Sequence, residues 1–158
     1  LKKFQNKKII FENDKYYKYS DLVRRVQITI KLIQSLNLKK NSKICICMEK
    51  SIDQITIILA ILSSGNVAVP ILPNLKKDNI DHIVKNSDAK LIFVDKERFL
   101  EISPKFHNII YNYSYFEIQK KNIKIRNNNL KKIKIFKNKP AIIIYSSGST
   151  GMLLIDFL

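Results

Sequence analysis

Pro140-Ala141-Ile142-Ile143-Ile144-Tyr145-Ser146-Ser147-Gly148-Ser149-Thr150-Gly151 is the stretch on which the reading of this chain turns. Residues 141–145 are short, apolar and β-branched, as a buried strand demands. The next six residues hold two of the chain's three glycines, Gly148 and Gly151. Glycine admits positive φ and removes the Cβ that keeps a ligand off the backbone. A loop of this kind can turn consecutive N–H groups inward as an anion nest, and the hydroxyls of Ser146, Ser147, Ser149 and Thr150 add donors. Polyphosphate is the guest such a donor set suits. A polar surface turn is the alternative reading.

The segment is not a Walker loop, which needs a lysine after its last glycine to reach the outer phosphates. Met152 follows Gly151, and no lysine occurs beyond it. It resembles instead the signature of the acyl-adenylate-forming enzymes, the family of acyl-CoA synthetases, luciferases and peptide-synthetase adenylation domains. That signature reads Tyr/Phe/Leu-[Thr/Ser]-Ser-Gly-[Ser/Thr]-Thr-Gly, and Tyr145 through Gly151 fits it residue for residue. The family continues with x-Pro-Lys-Gly, where this chain has Met152-Leu153-Leu154.

Three earlier segments resemble the same family in the same order. Phe11-Glu12-Asn13-Asp14-Lys15-Tyr16-Tyr17-Lys18-Tyr19-Ser20-Asp21-Leu22 is similar to its opening strand pair and first helix start. Residues 58–70, with Ala60, Gly65 and Pro70, resemble its Leu-x-Ala-x-x-x-x-Gly-x-x-x-x-Pro segment, Ile58 standing at the leucine position. Asn86-Ser87-Asp88-Ala89-Lys90-Leu91-Ile92-Phe93-Val94-Asp95 resembles its next strand, which ends in aspartate.

The resemblance implies an α/β fold: a parallel-sheet layer with helices on its faces, the opening part of the family's large N-terminal region. Residues 1–158 would be a partial AMP-binding domain, without the downstream subdomains or the C-terminal lid domain. The chain starts at Leu1 and ends in Leu153-Leu154-Ile155-Asp156-Phe157-Leu158, and both ends are expected to be cut. The implied reaction joins a carboxylic acid to ATP, then passes the acyl group to coenzyme A or to the pantetheine of a carrier protein. Val69-Pro70-Ile71-Leu72-Pro73-Asn74 leans towards the CoA ligases. Ser146, Ser147, Gly148, Ser149, Thr150 and Gly151 would hold the departing phosphates, with Mg2+ offsetting their charge. No catalytic residue and no metal ligand is assigned within these residues. The resemblance places those groups downstream, so the 158 residues alone are expected to be inactive.

Periodicity agrees with a parallel layer. Ser20 is the expected N-cap of a first helix, whose buried stripe would be Leu22, Val26, Ile30 and Ile33. A strand follows over residues 44–48. Ser51 would cap a second helix, which Gly65 would end. Strands at residues 67–71 and 91–94 flank a third helix at residues 76–86, and residues 108–111 are short and strand-like.

The net charge of +16 raises a nucleic-acid reading. Lysine outnumbers arginine 25 to 4, whereas proteins that clamp phosphates lean on arginine's planar fork. Ile, Lys and Asn share A/T-rich codons, so genome bias explains the charge, and no nucleic-acid partner is assigned. The run at residues 120–139, with eight lysines, Arg126 and no acid, reads as a solvated connector. A basic nucleic-acid module and a non-catalytic remnant or interaction domain remain the alternatives. Cys45 and Cys47 alternate along one strand and read as small buried hydrophobes. His82 and His107 read as surface histidines, and Glu49, Asp53 and Asp95 as caps and solvent contacts. No apolar run approaches a bilayer span, and the expected compartment is the cytoplasm.

Overall fold

The computed structural model describes residues 4–95, 102–115, 118, 140–148 and 151–157, with 146–148 and 151–157 as backbone alone. It opens with an antiparallel pair, β1 (Lys8–Glu12) and β2 (Lys15–Lys18). Asn13 and Asp14 turn the chain with φ of 48° and 57°, the left-handed pair that a tight two-residue hairpin requires. Helix α1 (Tyr19–Ser35) follows, then β3 (Lys43–Cys47), α2 (Ile52–Ser63), β4 (Val67–Ile71), α3 (Lys77–Asn86) and β5 (Leu91–Val94). A 3-10 turn (Pro104–Ile109) leads into β6 (Ile110–Asn112), and β7 (Ile142–Gly148) and β8 (Gly151–Phe157) close the described chain.

The main sheet has the order β6-β5-β3-β4-β7-β8. Its first five strands run parallel, and β8 returns antiparallel to β7. The expected α/β layer is therefore present, with β-α-β-α-β connectivity from β3 through β5. Both faces are covered, which is why its central strands read as continuous apolar runs. Ile44, Ile46, Ala68, Leu91 and Phe93 face one way, against Ile28, Leu32 and Ile33 of α1 and Ile57, Ala60 and Ile61 of α2. Cys45, Cys47, Val67, Val69, Ile71, Ile92 and Val94 face the other, against Ile80, Ile83 and Val84 of α3.

Helix boundaries follow local chemistry, with one correction. The Ser51 side chain accepts from the Gln54 N–H at 3.1 Å, so Ser51 caps α2 as expected. Gly65, at φ 76°, follows the C-cap Ser64 and lets the chain leave α2, again as expected. The N-cap of α1 is Lys18, not Ser20. Asp21 accepts from the Lys18 N–H at 2.9 Å, so a carboxylate at the third helical position does the work that a Ser20 hydroxyl was expected to do. The buried stripe of α1 is also rotated. Ile30 and Ile33 are buried as expected, but Arg25, Ile28, Thr29 and Leu32 join them, while Leu22 and Val26 are only half-buried. Counting apolar residues alone placed the N-terminal half of the stripe wrongly, because Arg25 and Thr29 lie on it.

Candidate functional site

Parallel strands deliver their carboxyl ends to one edge of the sheet, where open α/β folds bind ligands. Here that edge gathers the ends of β3 at Cys47, β4 at Ile71, β5 at Val94 and β7 at Gly148. The backbone N–H of Glu49 donates to the Asp95 carboxylate at 3.1 Å, which ties the segments leaving β3 and β5 together. The family-like segment enters from β7.

Three features describe that entry, the second and third of them against expectation. First, β7 is the second strand from the edge of the sheet, with β4 on one side and β8 on the other. Second, the strand does not stop at Tyr145 but runs on through Ser146, Ser147 and Gly148. The physical reason is the partner: β8 pairs without interruption from Ile142↔Phe157 to Gly148↔Gly151. Met152, Leu153, Leu154 and Ile155 contain no proline to interrupt that ladder. Third, successive N–H groups of an extended strand point to opposite sides, so those of residues 146–148 do not converge as a nest. The hydroxyls of Ser146 and Ser147, expected as donors, lie outside what is described. Ser149 and Thr150 themselves lie outside the described residues, as does the basic run at 120–139.

Strand β7 is held at its base. Ala68 stands opposite Ile142, and the Ala68 N–H donates to the Ala141 carbonyl at 3.0 Å. Ile143 is buried on the α3 side, and Ile144 is 40 % exposed. The Tyr145 hydroxyl donates to Asn86 Oδ1 at the end of α3, at 2.7 Å.

A second polar constellation lies beneath the opening hairpin, and sequence reasoning missed it. Arg25 is buried on α1 and donates from Nη1 to Asp53 Oδ1 of α2 at 2.6 Å. Its guanidinium lies 4.0 Å from the centre of the Tyr115 ring and 5.1 Å from that of Tyr17. Thr29 donates to the Arg25 carbonyl at 3.0 Å and meets the Tyr113 hydroxyl at 2.7 Å. Burial pushes the Asp53 carboxyl up, and the Arg25 charge offsets this only in part. Burial likewise pushes the Tyr113 phenol well above its usual range. Asp53 is thus a structural partner rather than the cap or solvent contact expected. The legible signal was positional: Arg25 falls three and four residues before Ile28 and Thr29, on the inner face.

The remaining chemistry is quiet. Cys45 and Cys47 are fully buried, and burial pushes the Cys45 thiol up to about 12, which leaves it protonated and unreactive. His82 and His107 are both exposed, with a His107 ring nitrogen 3.3 Å from the Ile102 carbonyl. Among the described residues no group of His, Cys, Asp or Glu could hold a metal ion, and no helix is long and apolar enough to cross a membrane.

A five-stranded parallel layer with helices on both faces defines an open α/β fold. The pattern of the AMP-binding enzyme family matches residues 1–153, and the chain belongs to that family. Tyrocidine synthase 1 of Brevibacillus parabrevis is 29 % identical over 147 residues, which cover 90 % of this chain and 13 % of the synthase. The N-terminal subdomain of Klebsiella oxytoca NpsA, solved with 3-hydroxybenzoyl-AMSN, superimposes with a TM-score of 0.78 at 20 % identity. That match covers 98 % of this chain and 38 % of the NpsA chain. The anthranilate CoA ligase AuaEII, solved with anthranoyl-AMP, gives a TM-score of 0.84 at 18 % identity, covering 99 % of this chain and 31 % of the ligase. The two structural matches establish the fold. The chain spans about an eighth of the synthase and about a third of each solved chain.

Proposed function

We propose that residues 1–158 are the opening part of an N-terminal AMP-binding domain in an enzyme that activates a carboxylic acid with ATP. The acid would attack the α-phosphorus, releasing pyrophosphate, and a thiol would then take the acyl group and release AMP. One observation carries this reading. The strand that carries the first residues of the family signature, β7, ends at the carboxyl edge of the parallel sheet, in a chain the family pattern matches from residue 1 to 153.

On this reading the hydroxyls of Ser146, Ser147, Ser149 and Thr150 hold the β- and γ-phosphates as they leave. Gly148 and Gly151 keep side chains away from them. Such donors act on charge that develops during the reaction, where a fixed dipole is most effective. Mg2+ would arrive with the nucleotide and be held by its phosphates and by residues beyond these 158. The thiol is coenzyme A or a carrier protein's pantetheine. Residues 69–74 favour the first, and the identity with a tyrocidine synthase favours the second.

The test is a chimera of residues 1–151 followed by the downstream portion of AuaEII. It should catalyse anthranilate-dependent exchange of labelled pyrophosphate into ATP. Residues 1–158 alone should give no exchange above a heat-killed control. Exchange by the 158 residues alone, or a chimera indifferent to changes in the 146–151 segment, would overturn the proposal.

A further inference from the structure

The opening hairpin is apolar on both faces, although among the described residues only one face is covered. Ile10 and Tyr17 stand opposite each other and are half-buried, and the Tyr17 ring meets the Arg25 guanidinium at 5.1 Å. Glu12 Oε1, on the same side, accepts from the Ile52 N–H at 2.9 Å, at the first residue of α2. Those contacts hold the hairpin to α1 and α2, and they use its inner face. An antiparallel pair of this kind normally turns polar side chains outward.

This one does not. Ile9 and Phe11 alternate along β1 onto the outer face, and Tyr16 stands opposite Phe11. They are 38 %, 59 % and 55 % exposed, respectively. The two rings lean on each other with their centres 4.7 Å apart. Lysines frame them. Lys18 lies two residues beyond Tyr16 on the same face, and the register shift between Lys8 and Ile10 brings Lys8, the partner of Lys18, onto it too. The Lys8 ammonium stands 4.6 Å from the centre of the Tyr16 ring. Residues 4–18 hold two acids, and neither lies on this face: Glu12 is turned inward, and Asp14 sits in the turn.

We propose that the outer face of the β1–β2 hairpin is a docking surface for an anionic lipid bilayer. Its charge complements a negative surface, and a two-stranded ribbon presents a plane rather than a groove. Rings bordered by ammonium groups suit the headgroup boundary, where the rings enter the acyl edge and the ammonium groups stay with the phosphates. A single-stranded nucleic acid needs an open ring to stack on, and the Lys8 ammonium already covers that of Tyr16. A second copy of the chain would bring Lys8 and Lys18 against their own counterparts. This docking is independent of the phosphate reading of residues 146–151.

The chain has no tryptophan, so Tyr16→Trp places a single reporter on the face itself. With vesicles of equal parts phosphatidylcholine and phosphatidylserine its emission should shift to the blue and be quenched by brominated acyl chains. Pure phosphatidylcholine should leave it unchanged. In co-sedimentation with the anionic vesicles, Lys8→Gln with Lys18→Gln should weaken binding about thirtyfold, at about fivefold for each ammonium near the surface. Lys39→Gln with Lys40→Gln removes the same charge past the far end of the 17-residue α1, about 25 Å away, and should weaken binding less than about threefold. Phe11→Ser should weaken it about tenfold with every lysine in place, in a chain whose circular dichroism matches the parent's. Equal losses in the two lysine pairs, or a Phe11→Ser chain that binds like the parent, would reduce the binding to net charge and overturn the proposal. An emission that ignores anionic vesicles but responds to oligo(dT) would assign the face to nucleic acid and overturn it equally. In the chimera with AuaEII the Phe11→Ser loss should persist. A chimera that binds no vesicles, when the 158-residue chain does, would mean that the downstream portion covers the face, and the proposal would fall.

Discussion

Replacing Arg25 by methionine should be the most damaging single change that leaves the sheet itself untouched. Arg25 is 6 % exposed in its side chain and Asp53 is 25 % exposed, so removing the guanidinium takes the countercharge from a carboxylate that water reaches only in part, leaving it a backbone hydrogen bond from Tyr115. Orphaning one member of a buried pair costs about 3–5 kcal/mol, and the partial exposure of Asp53 puts this case near about 3. The two aromatic contacts of the guanidinium add a fraction of that, about 0.5–1 kcal/mol for the closer, to Tyr115. A domain holds roughly 5–15 kcal/mol in total, so the loss is a large share. With a urea slope of about 2 kcal/mol/M, the midpoint should fall by about 1.5 M, read by circular dichroism. The double change Arg25→Met with Asp53→Leu should recover most of that loss, since an apolar pair needs no solvation. The sign with pH is fixed by the raised Asp53 carboxyl. A carboxyl raised in the fold favours folding when protonated, and its contribution fades as pH rises through its folded value. Without Arg25 the carboxyl should rise further, so the Arg25→Met deficit should shrink as pH falls from 7 towards 4. A deficit under about 1 kcal/mol, a double variant as unstable as the single, or a deficit that grows in acid would each refute this reasoning.

Thr29→Val should cost about 1–3 kcal/mol in the same urea titration, because it leaves the buried Tyr113 hydroxyl without its partner at 2.7 Å. Tyr113→Phe should cost less, since Thr29 retains its bond to the Arg25 carbonyl. Cys45 and Cys47 should resist alkylation at pH 8 in the native chain and react within minutes in denaturant, as mass spectrometry of the quenched protein would show. Ready native-state labelling would mean the core around β3 opens locally.

Strands were legible wherever a whole run carried one signal. Residues 67–71 and 91–94 are apolar throughout, and β4 and β5 begin and end where those runs do. Strand β7 outran its apolar stretch because its length is set by β8, a partner that local propensity does not reveal. The stripe of α1 was misread for a related reason. Periodicity weighs residues by polarity, whereas Arg25 and Thr29 are inside because Asp53, Tyr115 and Tyr113 receive them there. Those partners lie 28, 90 and 84 positions away, respectively, beyond the reach of any window. In the same way the hydroxyl of Tyr145 was visible as a motif letter, but its acceptor on α3 was not. The signature itself, residues 145–151, was legible because its chemistry is local: small residues and hydroxyls in unbroken succession.

The function proposed for this chain requires that this succession meet the phosphates of ATP. Pyrophosphate exchange in the chimera of residues 1–151, comparing the parent with Thr150→Ala, measures that contact directly. Losing one donor to developing charge should lower the rate about a hundredfold, or about 3 kcal/mol, while the thermal midpoint stays close to the parent's. An equal rate in the two proteins, with both folded, would contradict the claim.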